Sequence, residues 1–143
     1  MLFMIKEIVK DTTFLSQPCR TATKKDLYIA KDLVDTLQIY RSRPDMQCWG
    51  IAANMIGYPV RMIIVHNGLE ELVMVNPEIL SRKGIYESEE GCLSLPGVRT
   101  TKRYQEIVVK YRNTRYQWKK VRLSGFTAQV VQHEMDHLEG ILV

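Results

Sequence analysis

Residues 124–140 of this 143-residue chain read Ser-Gly-Phe-Thr-Ala-Gln-Val-Val-Gln-His-Glu-Met-Asp-His-Leu-Glu-Gly. Ser124 is a suitable N-terminal cap and Gly140 a suitable C-terminal stop, so the stretch predicts a helix. It contains an H-E-x-x-H motif, and histidines four residues apart lie on one face of a helix. His133 and His137 can therefore bind a single metal ion, and Glu134 can reach water on that ion.

Two histidines do not complete a catalytic metal site, which usually has three protein ligands and one open position. Only six residues follow His137, so we expect the third ligand to come from upstream. Cys92 is the best candidate, because it lies just before a Pro96-Gly97 turn that can present its side chain at a strand edge. A thiolate with two imidazoles suits zinc or ferrous iron. Glu89 or Glu90 can accept a hydrogen bond from a ligand imidazole, or can lie in solvent.

The rest of the chain shows one helical pattern followed by strands. Thr23 with Asp26 predicts a helix start, apolar residues then recur at helical spacing as far as Tyr40, and Pro44 follows. Four short strands are predicted in two pairs, with turns at His66-Asn67-Gly68 and Asn113-Thr114-Arg115. The four runs are 60–65, 71–75, 106–111 and 117–123. This order predicts an α+β fold of mostly antiparallel sheets around the central C-terminal helix that carries H-E-x-x-H.

The composition is that of an ordinary globular protein, with 45% hydrophobic and 25% charged residues, and we expect residues 1–143 to form one domain. Three unrelated cysteines argue against a disulfide framework and fit a reducing cytoplasm. The apolar N-terminus, Met1 to Ile5, is too short for a signal peptide, and no apolar run is long enough to cross a membrane. We therefore predict a cytoplasmic protein that has neither a membrane nor DNA as a partner.

The net charge is +4, with basic spots at Lys102-Arg103 and at Lys119-Lys120-x-Arg122. These spots do not form a continuous stripe in the sequence, so we interpret them as a solvated face. Weak attraction to an RNA-rich partner stays open as the alternative.

Three segments of the chain resemble the three signature motifs of the peptide deformylases. They are Gly50-Ile51-Ala52-Ala53-Asn54-Met55, Glu90-Gly91-Cys92-Leu93-Ser94 and Gln132-His133-Glu134-Met135-Asp136-His137. Residues 11–15 and 76–78 are similar to flanking segments of the family, so the resemblance covers almost the whole chain.

The resemblance implies a cytosolic metallohydrolase that removes the formyl group from the N-terminal methionine of nascent polypeptides. It assigns Cys92, His133 and His137 to one divalent metal, natively Fe²⁺ with Zn²⁺ or Ni²⁺ as replacements. It makes Glu134 the general acid and base, and the backbone N–H of Leu93 a donor to the oxyanion. N-formylmethionyl peptides are the implied partners, with transient proximity to the ribosome.

The resemblance breaks at the first motif, where the family usually ends in a glutamine whose amide helps to hold the oxyanion. Met55 stands there and offers no donor, and the neighbouring amide of Asn54 points elsewhere on a helical segment. Cys48 occupies the position of the family's first glycine and can narrow the site. The family's ribosome-docking extension after the motif helix is not expected here, because the chain stops at Val143.

A substrate pocket is also predicted. Phe126, Gln129 and Val130 lie three to seven residues before His133, so they share its helix face. Phe126 and Val130 suit an unbranched methionine side chain, whereas Gln129 is polar where the family is usually apolar; core packing is the alternative for all three. The opposite wall is assigned to Trp49 and Gly50. Arg99 matches a basic residue of the family and can orient substrate or form an ion pair.

Three other functions compete with an efficient deformylase. A deformylase-like protein with weak or no turnover is favoured by Met55 and Cys48. A zincin-type endopeptidase is disfavoured by the missing downstream ligand. A small binding module with an accidental H-E-x-x-H is disfavoured by the Glu-Gly-Cys-Leu-Ser segment.

Overall fold

The computed structural model describes residues 7–43 and 48–143. In chain order its elements are α1 (Thr12–Leu15), α2 (Ile29–Arg41), β1 (Gly50–Ala52), β2 (Met62–His66), β3 (Glu71–Gly91), β4 (Val98–Arg112), β5 (Trp118–Ser124) and α3 (Gly125–Leu138). Two 3-10 turns, Lys24–Asp26 and Ala53–Ile56, lie before α2 and after β1. Pro44 and the N-terminal apolar residues 1–5 lie outside the described residues.

The five strands form one sheet in the order β1-β2-β3-β4-β5, and each strand is antiparallel to the next. The predicted α+β class is confirmed, and both predicted hairpins are present. Two strands are much longer than their patterns predicted, since β3 runs to Gly91 and β4 begins at Val98. The sequence hides this length because residues 78–87 are mostly exposed, and the buried positions near the turn are the polar residues Ser88, Glu90 and Arg103, so apolar alternation is lacking.

The long strand β3 changes partners along its length. Its first residues pair with β2, and from Val75 onward it pairs with β4. The register shifts between Val75 and Glu78, where Asn76 has a positive φ of 51°. The Asn76 amide group accepts a hydrogen bond from the N–H of Ala22 and donates one to its carbonyl, at 2.8 and 3.0 Å. The bulge therefore attaches the sheet to the segment before α2.

Helix α3 packs across β1, β2 and β4 and forms the centre of the molecule. Its C-terminal part is almost entirely buried, with His137 and Leu138 inaccessible to solvent. Gly140 follows the helix at φ 78°, and a Cβ there would overlap the carbonyl oxygen of Ser16. The predicted glycine stop thus also allows close contact with the N-terminal segment.

The predicted start of the first long helix was wrong by several residues. Asp26 accepts a hydrogen bond from the backbone N–H of Thr23 at 2.8 Å, but the turn that follows is a short 3-10 turn. Arg20 binds the same carboxylate through both terminal nitrogens, each at 2.9 Å. This local cluster separates the turn from α2, which begins only at Ile29. None of the helices in the described ranges is long and apolar enough to cross a bilayer.

Candidate metal centre and active site

The side chains of Cys92, His133 and His137 converge on one point. The histidines come from one face of α3, and Cys92 follows the last residue of β3 in the turn to β4. One ligand atom from each residue lies within 4.8 Å of the other two, and Cys92 Sγ is 3.2 Å from His137 Nε2. Since the sequence separation between Cys92 and His133 is large, only the packing of the β3–β4 turn on α3 creates this group.

One imidazole is oriented by Glu90. Its Oε1 lies 2.7 Å from His133 Nδ1, so the other ring nitrogen, Nε2, faces the ligand cluster. Burial opposes ionisation of Glu90, but hydrogen bonds from His133 and Arg103 outweigh it and lower its pKa to about 2. Glu90 is therefore an anion that fixes the ring, whereas the neighbouring Glu89 is exposed.

Arg103 is a functional residue that sequence reasoning missed. It lies in the Lys102-Arg103 spot that was interpreted as solvated, and this was wrong for Arg103, which is 3% exposed. Its guanidinium binds Glu90 at 2.8 Å and Asp136 at 2.6 Å. The pairing needs the register of β4 against α3, and no local pattern around residue 103 signals it. Arg103 thus connects the ligand-orienting Glu90 to the variable part of the H-E-x-x-H motif.

The two imidazoles differ in their pKa values because their partners differ. Burial works against a proton on His133, yet hydrogen bonds with Cys92 and Glu90 outweigh it and raise the His133 pKa to about 10. Burial, with the charges of His133 and Arg103, lowers the pKa of His137 to about 3. The converging donors are one thiol and two imidazoles, and this set fits a soft or borderline divalent metal.

Glu134 lies beside the ligands and is 4% exposed. Its Oε1 is buried without a hydrogen-bond partner in the described part of the chain. Burial raises the pKa of Glu134 to about 7, against the opposing charges of His133 and Arg103. A carboxylate with a pKa near neutrality can both accept and release a proton at physiological pH.

Gly50 permits this arrangement by its small size. A Cβ on Gly50 would lie 2.8 Å from Val130 Cγ1 and 3.0 Å from Glu134 Cγ and Oε2. Such distances are shorter than carbon contacts allow, so the side chains of Val130 and Glu134 would have to move to admit a Cβ at this position. The predicted role of Gly50 was close approach of a peptide; its observed close neighbour is the helix that carries Glu134.

The wall formed by β1 and the following 3-10 turn has no side-chain amide directed at the site. Met55 is 1% exposed, and its Sδ accepts a hydrogen bond from the Ala52 N–H at 3.3 Å. The Asn54 amide donates to the carbonyl of His137 at 2.8 Å, so it is used to hold the end of α3. Cys48 lines the same wall, and burial raises its pKa to about 12, which keeps the thiol neutral.

These groups surround one cavity of about 490 Å³. Most of the predicted pocket residues line it: Trp49, Gly50, Met55, Leu93, Phe126, Gln129 and Val130. Trp49 and Phe126 meet edge to face at 5.6 Å between ring centroids, and Arg41 lies over the Trp49 ring at 4.5 Å. Gln129 Oε1 accepts a hydrogen bond from the Tyr86 hydroxyl at 2.8 Å. The mouth is therefore aromatic, with one positioned amide.

Two predicted residues differ in their relation to this cavity. Leu93 lines it, directly after Cys92, and its backbone N–H forms no hydrogen bond within the described chain. Arg99 does not line it and instead donates to the carbonyl of Pro96 at 3.3 Å. The Arg99 guanidinium thus supports the β3–β4 turn.

Comparisons with known proteins agree with this geometry. A family model described as polypeptide deformylase matches residues 5–143. A peptide deformylase of Clostridium beijerinckii is 48% identical over 140 residues, which cover 98% of this chain and 100% of that protein.

Two solved structures are similar throughout. A peptide deformylase from Thermotoga maritima has a TM-score of 0.85 at 33% identity and covers 96% of this chain and 94% of its own. A Met-Ala-Ser-bound class I type b peptide deformylase from Acinetobacter baumannii has a TM-score of 0.86 at 29% identity, covering 99% and 97%. Because the family model spans nearly the whole sequence and the relatives match over almost their full length, the chain belongs to the polypeptide deformylase family.

Proposed function

We propose that this protein is a metal-dependent hydrolase that removes the N-formyl group from the N-terminal methionine of nascent polypeptides. One observation carries the proposal: Glu134, with an unpartnered buried oxygen, lies beside three converging metal-ligand atoms in an open cavity. This is the arrangement needed to activate water for attack on an amide carbonyl.

Cys92, His133 and His137 would hold one divalent ion, and Glu90 would orient His133 through its Nδ1. When bound, such an ion lowers the pKa of water from 15.7 to about 7 and polarises a carbonyl oxygen. We propose Fe²⁺ as the native metal, with Zn²⁺ or Ni²⁺ as possible replacements. A single thiolate with two imidazoles is compatible with all three.

Glu134 would accept a proton at Oε1 from the attacking water and then deliver it to the leaving amine. Its raised pKa supports both halves of this transfer, because the carboxylate gains and loses a proton near neutral pH.

The Leu93 N–H is proposed as the main protein donor to the oxyanion. Met55 cannot assist, because a thioether has no donor, and the Asn54 amide is already bonded to His137. The second candidate function, a deformylase of low efficiency, is favoured by this missing donor. Removal of one oxyanion donor typically lowers kcat by about 10²–10³.

The aromatic mouth of the cavity is proposed to bind the methionine side chain. Phe126, Trp49 and Val130 offer apolar and aromatic contacts to its thioether. Gln129, positioned by Tyr86, would hydrogen-bond the peptide backbone that follows. Binding of Met-Ala-Ser by the Acinetobacter baumannii relative supports a peptide ligand of this kind. Arg99 would act indirectly, through the turn that carries Cys92 and Leu93.

We infer a cytoplasmic location from three free cysteines, one of which is a proposed thiolate ligand. We also infer that residues 1–143 form a single domain, since one apolar core joins Cys19 to Leu138. Transient proximity to the ribosome is proposed from the nature of the substrate.

The test is anaerobic reconstitution with Fe²⁺, Ni²⁺ or Zn²⁺, followed by measurement of formate released from formyl-Met-Ala-Ser and of casein cleavage. Formate without casein cleavage is the expected result. Casein cleavage would support an endopeptidase instead. Stoichiometric metal binding without either product would leave a metal-binding relative that lacks turnover and would refute the proposed activity.

A further inference from the structure

We propose that the β4–β5 hairpin is a docking surface for the phosphate backbone of RNA. Here this surface means residues 110–122, which comprise the end of β4, the turn and most of β5. Neither the metal centre nor the substrate cavity includes any of these residues.

Charge is unusually segregated in this hairpin. Its 13 residues contain six Lys or Arg side chains and no Asp or Glu. The other 130 residues carry 14 basic and 16 acidic side chains, so the positive net charge of the protein resides entirely in the hairpin. A local excess of positive charge attracts polyanions even when the net charge of the whole protein is modest.

The register of the sheet joins residues that are separate in the sequence. Lys110 stands directly opposite Lys120, and Arg112 directly opposite Trp118, so these four side chains share one face. Like charges directly opposite each other destabilise a strand pair. An anion bound across both strands would relieve this repulsion. The face is therefore suited to binding a polyanion.

Trp118 holds two of these cations in place. Its ring lies 4.0 Å from Arg112 Cζ and 4.4 Å from Lys110 Nζ, and the residue is 47% exposed. Tyr116 also contacts the Arg112 guanidinium, whose Nη1 donates to the Tyr116 carbonyl at 2.9 Å. Cations that are already ordered lose less side-chain entropy when they bind phosphate.

The turn itself is fixed to the body of the protein. Asn113 Oδ1 accepts hydrogen bonds from the N–H groups of Arg115 and Gln117, at 2.9 and 3.0 Å. The Tyr116 hydroxyl donates to the carbonyl of Ala22 at 2.9 Å. The charged face is therefore a rigid platform and not a mobile loop.

Few carboxylates neutralise this platform. Glu106 binds Arg122 at 2.6 Å, and Glu78 stands opposite Lys110 in the register of β3. Within the described segments, no other cation of the hairpin forms an ion pair with a carboxylate. Lys119 and Lys120 are both exposed at the edge strand of the sheet. Four or more cations thus remain available to phosphate groups.

RNA fits this surface better than an anionic membrane. Interfacial membrane binding requires an apolar face beneath the charges, and Trp118 is the one exposed large apolar side chain between residues 110 and 122. The choice of RNA as the polyanion rests on the proposed function, because nascent polypeptides are made beside RNA. The surface itself is independent of turnover.

The test is fluorescence anisotropy of a labelled 20-base-pair RNA duplex titrated with metal-loaded protein at 50, 100 and 200 mM KCl. Lys110→Gln/Lys120→Gln removes the two cations that stand opposite each other on the charged face. Lys24→Gln/Lys25→Gln removes an exposed pair from the 3-10 turn before α2, with the same change in net charge. The hairpin variant should bind at least about fivefold more weakly at 100 mM KCl, with a salt slope reduced by about 2.

Three outcomes would overturn the proposal. They are absence of RNA binding by the unsubstituted protein, equal weakening by both double variants, and binding only to vesicles that contain anionic lipid. Thermal unfolding and formate release, measured on the same samples, should be unchanged in both variants. If the unsubstituted protein releases formate but does not bind RNA, this proposal alone is refuted. If it binds RNA but releases no formate, the proposed activity alone is refuted.

Discussion

The two walls of the active-site cavity are built in different ways. On the α3 side, three candidate metal-ligand atoms, the proposed proton acceptor Glu134 and a buried chain of Glu90, Arg103 and Asp136 lie together. On the β1 side, a thioether and a neutral thiol, from Met55 and Cys48, line the wall where an amide donor would stabilise an oxyanion. In the proposed mechanism, a full set of side chains therefore serves the activation of water, whereas one backbone N–H, that of Leu93, serves the oxyanion.

The largest effect is expected on the α3 side, from Glu134→Gln. The amide keeps the shape of the side chain but cannot accept the proton, so formate release should fall by about 10²–10⁴-fold. Metal content per protein should stay unchanged, measured by atomic spectroscopy. Glu139→Gln is the matched control, because Glu139 follows the same helix but pairs with Arg61 outside the site. Substantial turnover in Glu134→Gln would assign the proton transfer to another group.

Gly50→Ala should be the next most damaging change, because the side chains on α3 leave no room for the new methyl group. The new methyl group would collide with Val130 and Glu134, so we expect a loss of stability of about 1–3 kcal/mol. Displacement of Glu134 by about 1 Å should lower kcat by about 10²-fold. Both are measured by chemical denaturation and formate release.

Gly91→Ala is the matched control for this change. Gly91 also lines the cavity, but a Cβ there would have its nearest neighbour at 3.8 Å. If the Gly50→Ala protein has the stability and activity of the Gly91→Ala protein, the side chains of Val130 and Glu134 can move aside without loss of either property.

Glu90→Gln tests the support behind the ligands. The amide can still accept a hydrogen bond from His133, but the charge that opposes Arg103 is lost. Loss of such a ligand-orienting group typically weakens metal affinity by about 10–100-fold, measured by competition with a chelator. Glu89→Gln, an exposed neighbour, should leave the affinity unchanged. Equal metal affinities of the two variants would mean that Glu90 stabilises the fold and does not support metal binding.

Met55→Gln is expected to have the smallest effect, and it is a gain. The glutamine oxygen can replace Sδ as acceptor for the Ala52 N–H, leaving the amide nitrogen to donate into the cavity. We expect kcat on formyl-Met-Ala-Ser to rise by about tenfold, part of the 10²–10³ that such donors contribute. Met55→Leu removes the sulfur without adding a donor and should not raise the rate. An unchanged rate in Met55→Gln would mean that the β1 side already has a sufficient donor.

Sequence patterns predicted a feature correctly where all of its residues lie in one helix or one hairpin. The H-E-x-x-H spacing lies on a single helix, and the Asn-Gly turn lies between two short β-branched runs. The residue types within each element therefore indicated a helix in the first case and a hairpin in the second. The helix after Thr23 was predicted too early, because Asp26 binds Arg20 as well as the backbone of Thr23. A pattern of residue types does not show which partner a carboxylate will choose.

Residues whose role depends on two elements could not be predicted. Lys102 and Arg103 are neighbours in the sequence, yet one is exposed and the other is buried between two carboxylates. Likewise, Lys119-Lys120-x-Arg122 is a short basic spot in the sequence, and only the register against β4 adds Lys110 and Arg112 to it.

By itself, the sequence determined the H-E-x-x-H helix, the antiparallel hairpins, Cys92 as the best third ligand and the absence of an amide donor at Met55. These depend on residue type and on spacing within one element, which the chain carries locally. The tertiary structure alone decided that Arg103 supports Glu90, that Gly50 is small because Glu134 packs on it, and that the charge of β4 and β5 is one surface. Each of these requires two distant segments to meet, and the energy of burying or pairing a side chain is set only where they meet.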